Sequence, residues 1–134
     1  LVIGNYKERR NYMKFKTVGD LSKPVILFFH AMGVVGDSSQ PIANELASKY
    51  YCILPTSSVY YSKENEVEQI QAFLKDKGIQ KIELIVASSL GADLALAFLI
   101  KNSCLVKHIF FDGGQFAQMG KTTRKSWFLF SISL

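Results

Sequence analysis

Residues that could do acyl chemistry gather at Ala87-Ser88-Ser89-Leu90-Gly91, where the apolar run KIELIVA meets the helix-like run LGADLALAFLIKN. The pentapeptide is one residue away from G-x-S-x-G, the turn that carries a nucleophilic serine between a strand and a helix. That turn needs a small residue two positions before and after the serine, because strand and helix press close there. Ala87 and Gly91 meet the requirement. On this register Ser89 is the nucleophile, with its Oγ projecting from the turn, and Ser88 takes the variable position. The competing reading is ordinary: a serine just before a helix is a common N-cap.

A serine that attacks an ester needs backbone N–H groups aimed at the oxyanion that develops. One donor is expected from the residue after the nucleophile, Leu90. The other is expected from the loop after an earlier strand, FFHAMG at 28–33, through Met32 or its neighbour. His30 in that loop reads as structural, bonding within the loop, and Ala31 follows it. A triad also needs an acid and a base. Asp112 ends the run VKHIFFD and is the candidate acid; its alternative role is a turn aspartate before Gly113-Gly114. The chain has two histidines, His30 and His108. His108 begins a strand and is expected on the face opposite the reacting serine. No histidine follows it.

These residues require elements to hold them. MKFKTV alternates like a half-exposed strand, and PVILFFH is a continuous apolar run of buried-strand length. SSQPIANELASKY reads as a helix with Ser38 or Ser39 as N-cap and with Ile42, Leu46 and Tyr50 at helical spacing. YCILPT is a strand. KENEVEQIQAFLKDKG is an amphipathic helix with Val67, Ile70, Phe73 and Leu74 on one side, ended by Gly78 as a C′ glycine. Strand, helix and strand then follow as KIELIVA, LGADLALAFLIKN and VKHIFFD. This β-β-α-β-α-β-α-β order predicts an α/β fold: a mainly parallel sheet with helices on both faces. Ligands of such sheets sit at the carboxyl ends of the strands. The loops after His30, Thr56, Ala87 and Asp112 are therefore the informative ones.

Composition narrows the classes. A chain of 134 residues with 49% hydrophobic content suits one domain with a real core. The net charge of +5 is spread along the chain, apart from a small cluster at Lys121, Arg124 and Lys125. No basic stripe with interleaved aromatics is present, which argues against nucleic-acid binding. Cys52 and Cys104 make neither a disulfide framework nor a zinc site and are expected to be small buried residues in a reducing compartment. The opening LVIGNYKERRNY lacks signal-peptide order, and no apolar run is long enough to cross a bilayer, so a cytoplasmic protein is expected. GGQFAQMGKTT approaches a phosphate-binding loop, but the first glycine required is displaced: Gln115 stands there and Gly114 is one place early. No metal or cofactor is indicated.

Taken together, PVILFFHAMG, SSQPIANELASKYYCILPT, IELIVASSLGADLALAFL and VKHIFFDGG resemble, in order and spacing, the N-terminal part of an α/β-hydrolase over roughly residues 13 to 120. Ala31 stands where that family usually has Gly, and Ala87 replaces the first glycine of the elbow. The resemblance implies a serine hydrolase acting on carboxylic esters or related acyl substrates, with a Ser-acid-His triad in that chain order and no cofactor. The triad histidine would lie beyond Leu134. As this stretch alone, the chain is expected to be inactive or nearly so. Residues 1–12 read as an upstream extension, 13–120 as a partial hydrolase core, and 121–134 as the start of a cap or lid or as a truncated end. The alternative is a non-catalytic α/β-hydrolase-like binding protein or pseudoenzyme that holds an apolar ligand. The oligomeric state is not indicated.

Overall fold

The computed structural model describes residues 13–57, 62–113 and 130–133. The reading of 114–121 as a displaced phosphate loop and the basic cluster at 121–125 lie outside the described residues. Strands β1 (Lys14–Val18), β2 (Val25–Phe29), β3 (Tyr51–Thr56), β4 (Ile82–Ser88), β5 (Val106–Asp112) and β6 (Phe130–Ser133) form one sheet in the order β1-β3-β2-β4-β5-β6. The four central strands are parallel, whereas β1 and β6 run antiparallel to β3 and β5. Sequence patterning did not single out β6 in the run 121–134, and Phe130–Ser133 lies antiparallel along β5.

Among the described residues three α-helices cover the sheet: α1 (Gln40–Leu46), α2 (Lys63–Asp76) and α3 (Leu90–Asn102). Every residue of β2 is buried, as expected of a central parallel strand covered on both faces. Its side chains divide between two cores. Val25, Leu27 and Phe29 pack with Val67, Ile70 and Leu74 of α2 and with Leu94 and Phe98 of α3. Ile26 and Phe28 pack with Ala43 of α1 and with Cys52 and Leu54.

The helix boundaries have local causes. Ser62 caps α2 by accepting the Asn65 N–H, and Glu64 and Glu66 lie in its first turn, where carboxylates complement the helix dipole. At the other end Gly78, with φ +67°, donates to Lys75 O while Ile79 N–H reaches Leu74 O. This is a Schellman closure, and it puts Gly78 at C′ as the sequence predicts. The apolar side of α2 is also as predicted, with Phe73 stacked on Phe15 of β1 at 4.2 Å between centroids.

Two local expectations are corrected. The helix expected from SSQPIANELASKY is short: a 3-10 turn spans Gly36–Ser39 and α1 stops at Leu46. Ser39 occupies the N-cap position without a side-chain cap bond. Ile42 is 56% exposed, and Ala43 is the residue that meets the sheet. Cys52 is buried, which raises its thiol pKa through desolvation, but Cys104 is exposed on the 3-10 turn Ser103–Leu105. No helix among the described residues is long and apolar enough to cross a membrane.

Candidate active site

The turn between β4 and α3 is a single residue, Ser89. It is the one non-glycine residue at positive φ among the described residues, with φ +48° and ψ −115°. An L-residue held there is strained by a cost on the order of 1–3 kcal/mol, and such strain persists only when the surroundings over-determine it. The surroundings do so on both sides. Ser89 N–H donates to Asp112 O at 3.1 Å, and Ser89 O accepts from Ala92 N–H at 3.0 Å. Ser89 stands at the N-cap position of α3, yet its side chain makes no cap hydrogen bond. The N-cap alternative therefore fails at this serine: the backbone is strained, and the hydroxyl is not spent on the helix.

The two small residues have separate reasons. Ala87 is fully buried in β4, flanked in register by Phe29 of β2 and Phe111 of β5. Gly91 lets the first turn of α3 lie against the end of β2. A Cβ there would stand 2.7 Å from His30 O and closer still to Phe29 O. Both are backbone atoms that cannot swing aside, so glycine is required by contact rather than by dihedral.

The loop after β2 is built differently. Ala31 is half-buried, and Met32, Gly33, Val34 and Val35 are exposed, Met32 to 74%. Gly33 has φ +82° with open space where a Cβ would be. The loop is tethered at its two ends. His30 Nδ1 lies 2.8 Å from Ala31 O, and His30 Nε2 accepts the Ser57 N–H at 2.9 Å. At the far end Gly36 N–H donates to Thr56 Oγ1 at 3.1 Å. Thus His30 bonds within its loop, as the sequence suggests, and also to the segment after β3, which the sequence could not show.

These elements border a cleft of about 480 Å³. His30, Ala31, Met32, Leu90 and Gly91 line it, so five of the residues singled out by sequence share one cavity. Ser89 and Ala87 are not among the lining residues, although Leu90 and Gly91 beside them are. Lys63 and Glu66 of α2 also line the cleft, with Lys63 3.7 Å from Asp93. Sequence reasoning missed both: they sit in the first turn of an amphipathic helix, where charge usually means solvent. Glu66 is buried.

Asp112 ends β5 directly across from Ser88. Its side chain is exposed, and its described contact with the elbow is made by the backbone carbonyl to Ser89 N–H. His108 opens instead into a groove on the other face of the sheet, lined by Ile26, Leu46, Tyr50 and Leu84.

No family model matches the sequence, and no curated protein matches it. Solved structures do match. A protein from Desulfitobacterium hafniense described as a putative alpha/beta hydrolase family member superposes with a TM-score of 0.69 at 23% identity, over 76% of this chain and 44% of its own. A 2-hydroxy-6-oxo-6-phenylhexa-2,4-dienoate hydrolase from Rhodococcus sp. strain RHA1 gives 0.67 at 21% identity, over 76% and 42%. A marine microorganism esterase gives 0.65 at 22% identity, over 75% and 41%. At these identities the likeness is one of fold. The chain spans less than half the length of each of these structures.

Proposed function

We propose, from a chain that carries the α/β-hydrolase fold over the part it spans, that this is the nucleophile-bearing portion of a serine hydrolase acting on carboxylic esters or related acyl substrates. The observation that carries the reading is Ser89: a strained, exposed serine at the start of a helix whose hydroxyl does not cap that helix. In this reading Ser89 Oγ attacks the acyl carbon. The carbonyl oxygen that becomes an oxyanion would sit between the N–H of Leu90, at the start of α3, and the N–H of Met32. Asp112 is the candidate acid. The base would be a histidine beyond Leu134. Two free thiols suit a reducing, cytoplasmic setting.

A binding shell without catalysis is the second reading, and the histidines favour it. His30 has both ring nitrogens engaged with backbone groups, and His108 lies on the other face of the sheet. Neither is placed to take a proton from Ser89.

Labelling with a fluorophosphonate separates the two readings. The chain, any longer product of the same gene, and the Ser89→Ala variant of each should be compared. Labelling of the longer product through Ser89 alone supports the hydrolase. A folded longer product that never labels supports the binding shell.

A further inference from the structure

The core-facing stripe of α2 does not stay apolar to its end. Val67, Ile70 and Leu74 carry it into the core. Helical spacing continues the stripe toward the N-terminus through Glu66 and Lys63, which stand four residues before Ile70 and Val67. Both line the cleft. The stripe thus turns charged where α2 passes beyond Val67 and borders open space. Core formation does not require this, because a carboxylate taken out of water is costly. The helix dipole does not require it either: Glu64 lies in the same turn, exposed, and complements the dipole from solvent.

The two charges differ in weight. Lys63 is 54% exposed, and its ammonium already lies 3.7 Å from the Asp93 carboxylate. Exposed pairs of that kind are screened and contribute little. Glu66 is 6% exposed. A charge in such surroundings acts through a lower dielectric, so it weighs more on whatever enters the cleft. A carboxylate has two oxygens and about four acceptor positions, so one interaction of Glu66 within the protein does not exhaust them. The rest of the wall is largely apolar, with Ala31, Met32, Val34, Leu90 and Leu94. A volume of about 480 Å³ suits a small molecule with an apolar body and one charged end.

We propose that Glu66 is a specificity residue of the cleft: its carboxylate receives a protonated amine, so the preferred ligand has an apolar body ending in an ammonium group. That this ligand is the acyl part of an ester rests on the reading of Ser89 as nucleophile. The net charge of +5 works against capture of cations by the chain as a whole. A preference for an ammonium ligand therefore has a local source.

The test titrates three probes of equal chain length, hexylammonium, 1-hexanol and hexanoate, into the 134-residue chain at neutral pH and follows the amide resonances of Leu90, Gly91 and Leu94. Hexylammonium should bind at least about tenfold more tightly than hexanoate, the scale of one hydrogen bond to a charged group. Glu66→Gln keeps the shape and removes the charge, and it should bring hexylammonium to within about twofold of 1-hexanol. Glu64→Gln, in the same turn but outside the cleft wall, should leave all three affinities unchanged. Lys63→Gln removes a like charge from the wall and should not weaken hexylammonium.

Tighter binding of hexanoate, weakened by Lys63→Gln, would mean that the cleft selects anions, and it overturns the proposal. So does an ammonium preference that survives Glu66→Gln. The ranking in the parent can be read even if that variant fails to fold, and equal affinity for the three probes sinks the proposal by itself. If a fluorophosphonate labels Ser89 but the ammonium preference is missing, the hydrolase reading stands and this one falls. If the preference is present and depends on Glu66 while Ser89 never labels, the cation site stands and the acyl reading falls.

Discussion

The two connections that border the cleft reach their shapes by opposite means. The turn after β4 is one residue long and is held by backbone: Ser89 is tied to Asp112 O and Ala92 N–H, and Gly91 is wedged against carbonyls of β2 and its loop. The loop after β2 is long and exposed, and it is held by side chains, the His30 ring at one end and the Thr56 hydroxyl at the other. The first cannot move without moving the sheet. The second can be adjusted one hydrogen bond at a time. On the hydrolase reading proposed above, the rigid turn would hold the nucleophile and the adjustable loop would carry the second oxyanion donor.

Substitutions should expose that difference, and glycine is the sharpest probe. Gly91→Ala places a Cβ on backbone oxygens at both Phe29 and His30. It should cost about 3 kcal/mol or more in denaturant unfolding, at the upper end for overpacking. A loss below about 1 kcal/mol would mean that α3 can retreat and that the elbow is softer than its contacts imply. Gly33→Ala meets no atom within 4 Å, so it carries only the penalty of its positive φ. About 1 kcal/mol is expected there, a clear step down from Gly91.

Ser89 allows a test in the other direction. Ser89→Gly relieves the strained dihedral and should be more stable than Ser89→Ala by about 1 kcal/mol in matched melts, while neither variant labels. Equal stability would remove the case for strain at the elbow. The smallest effect is expected at Met32. Its side chain is 74% exposed and only its N–H is invoked. Met32→Ala should change stability by less than about 0.5 kcal/mol and leave labelling nearly intact. A large loss of labelling would show that the side chain, rather than the backbone, does the work at this position.

Much of this architecture can be read along the chain. YCILPT and VKHIFFD coincide with β3 and β5 residue for residue. Gly78 is the C′ glycine of α2 for the reason the sequence suggests. Other signals misled because they were weighed locally. Ile42 looks like a core position on a helix wheel, but α1 is seven residues long and enters from a 3-10 turn. In the folded chain it is Ala43 that packs with Cys52 and Leu54. Cys104 looks like a small apolar residue and sits on an exposed turn. The antiparallel edge strand β6 carries too little pattern in four residues to be recognised as a strand.

What the sequence alone determined is whatever depends on neighbours within a few residues: the alternation of strand and helix periods, the caps of α2, and the small residues that flank Ser89. The tertiary structure decided what holds the residues around the cleft. The Ser89 backbone is held by Asp112 from the end of another strand. The His30 ring is braced by the Ser57 N–H, 27 residues further along. Gly91 has to be glycine because β2 lies against it. Periodicity is a property of the chain, but backbone strain and the bracing of a loop are set by contacts between distant segments, and those exist only once the sheet has brought its strand ends together.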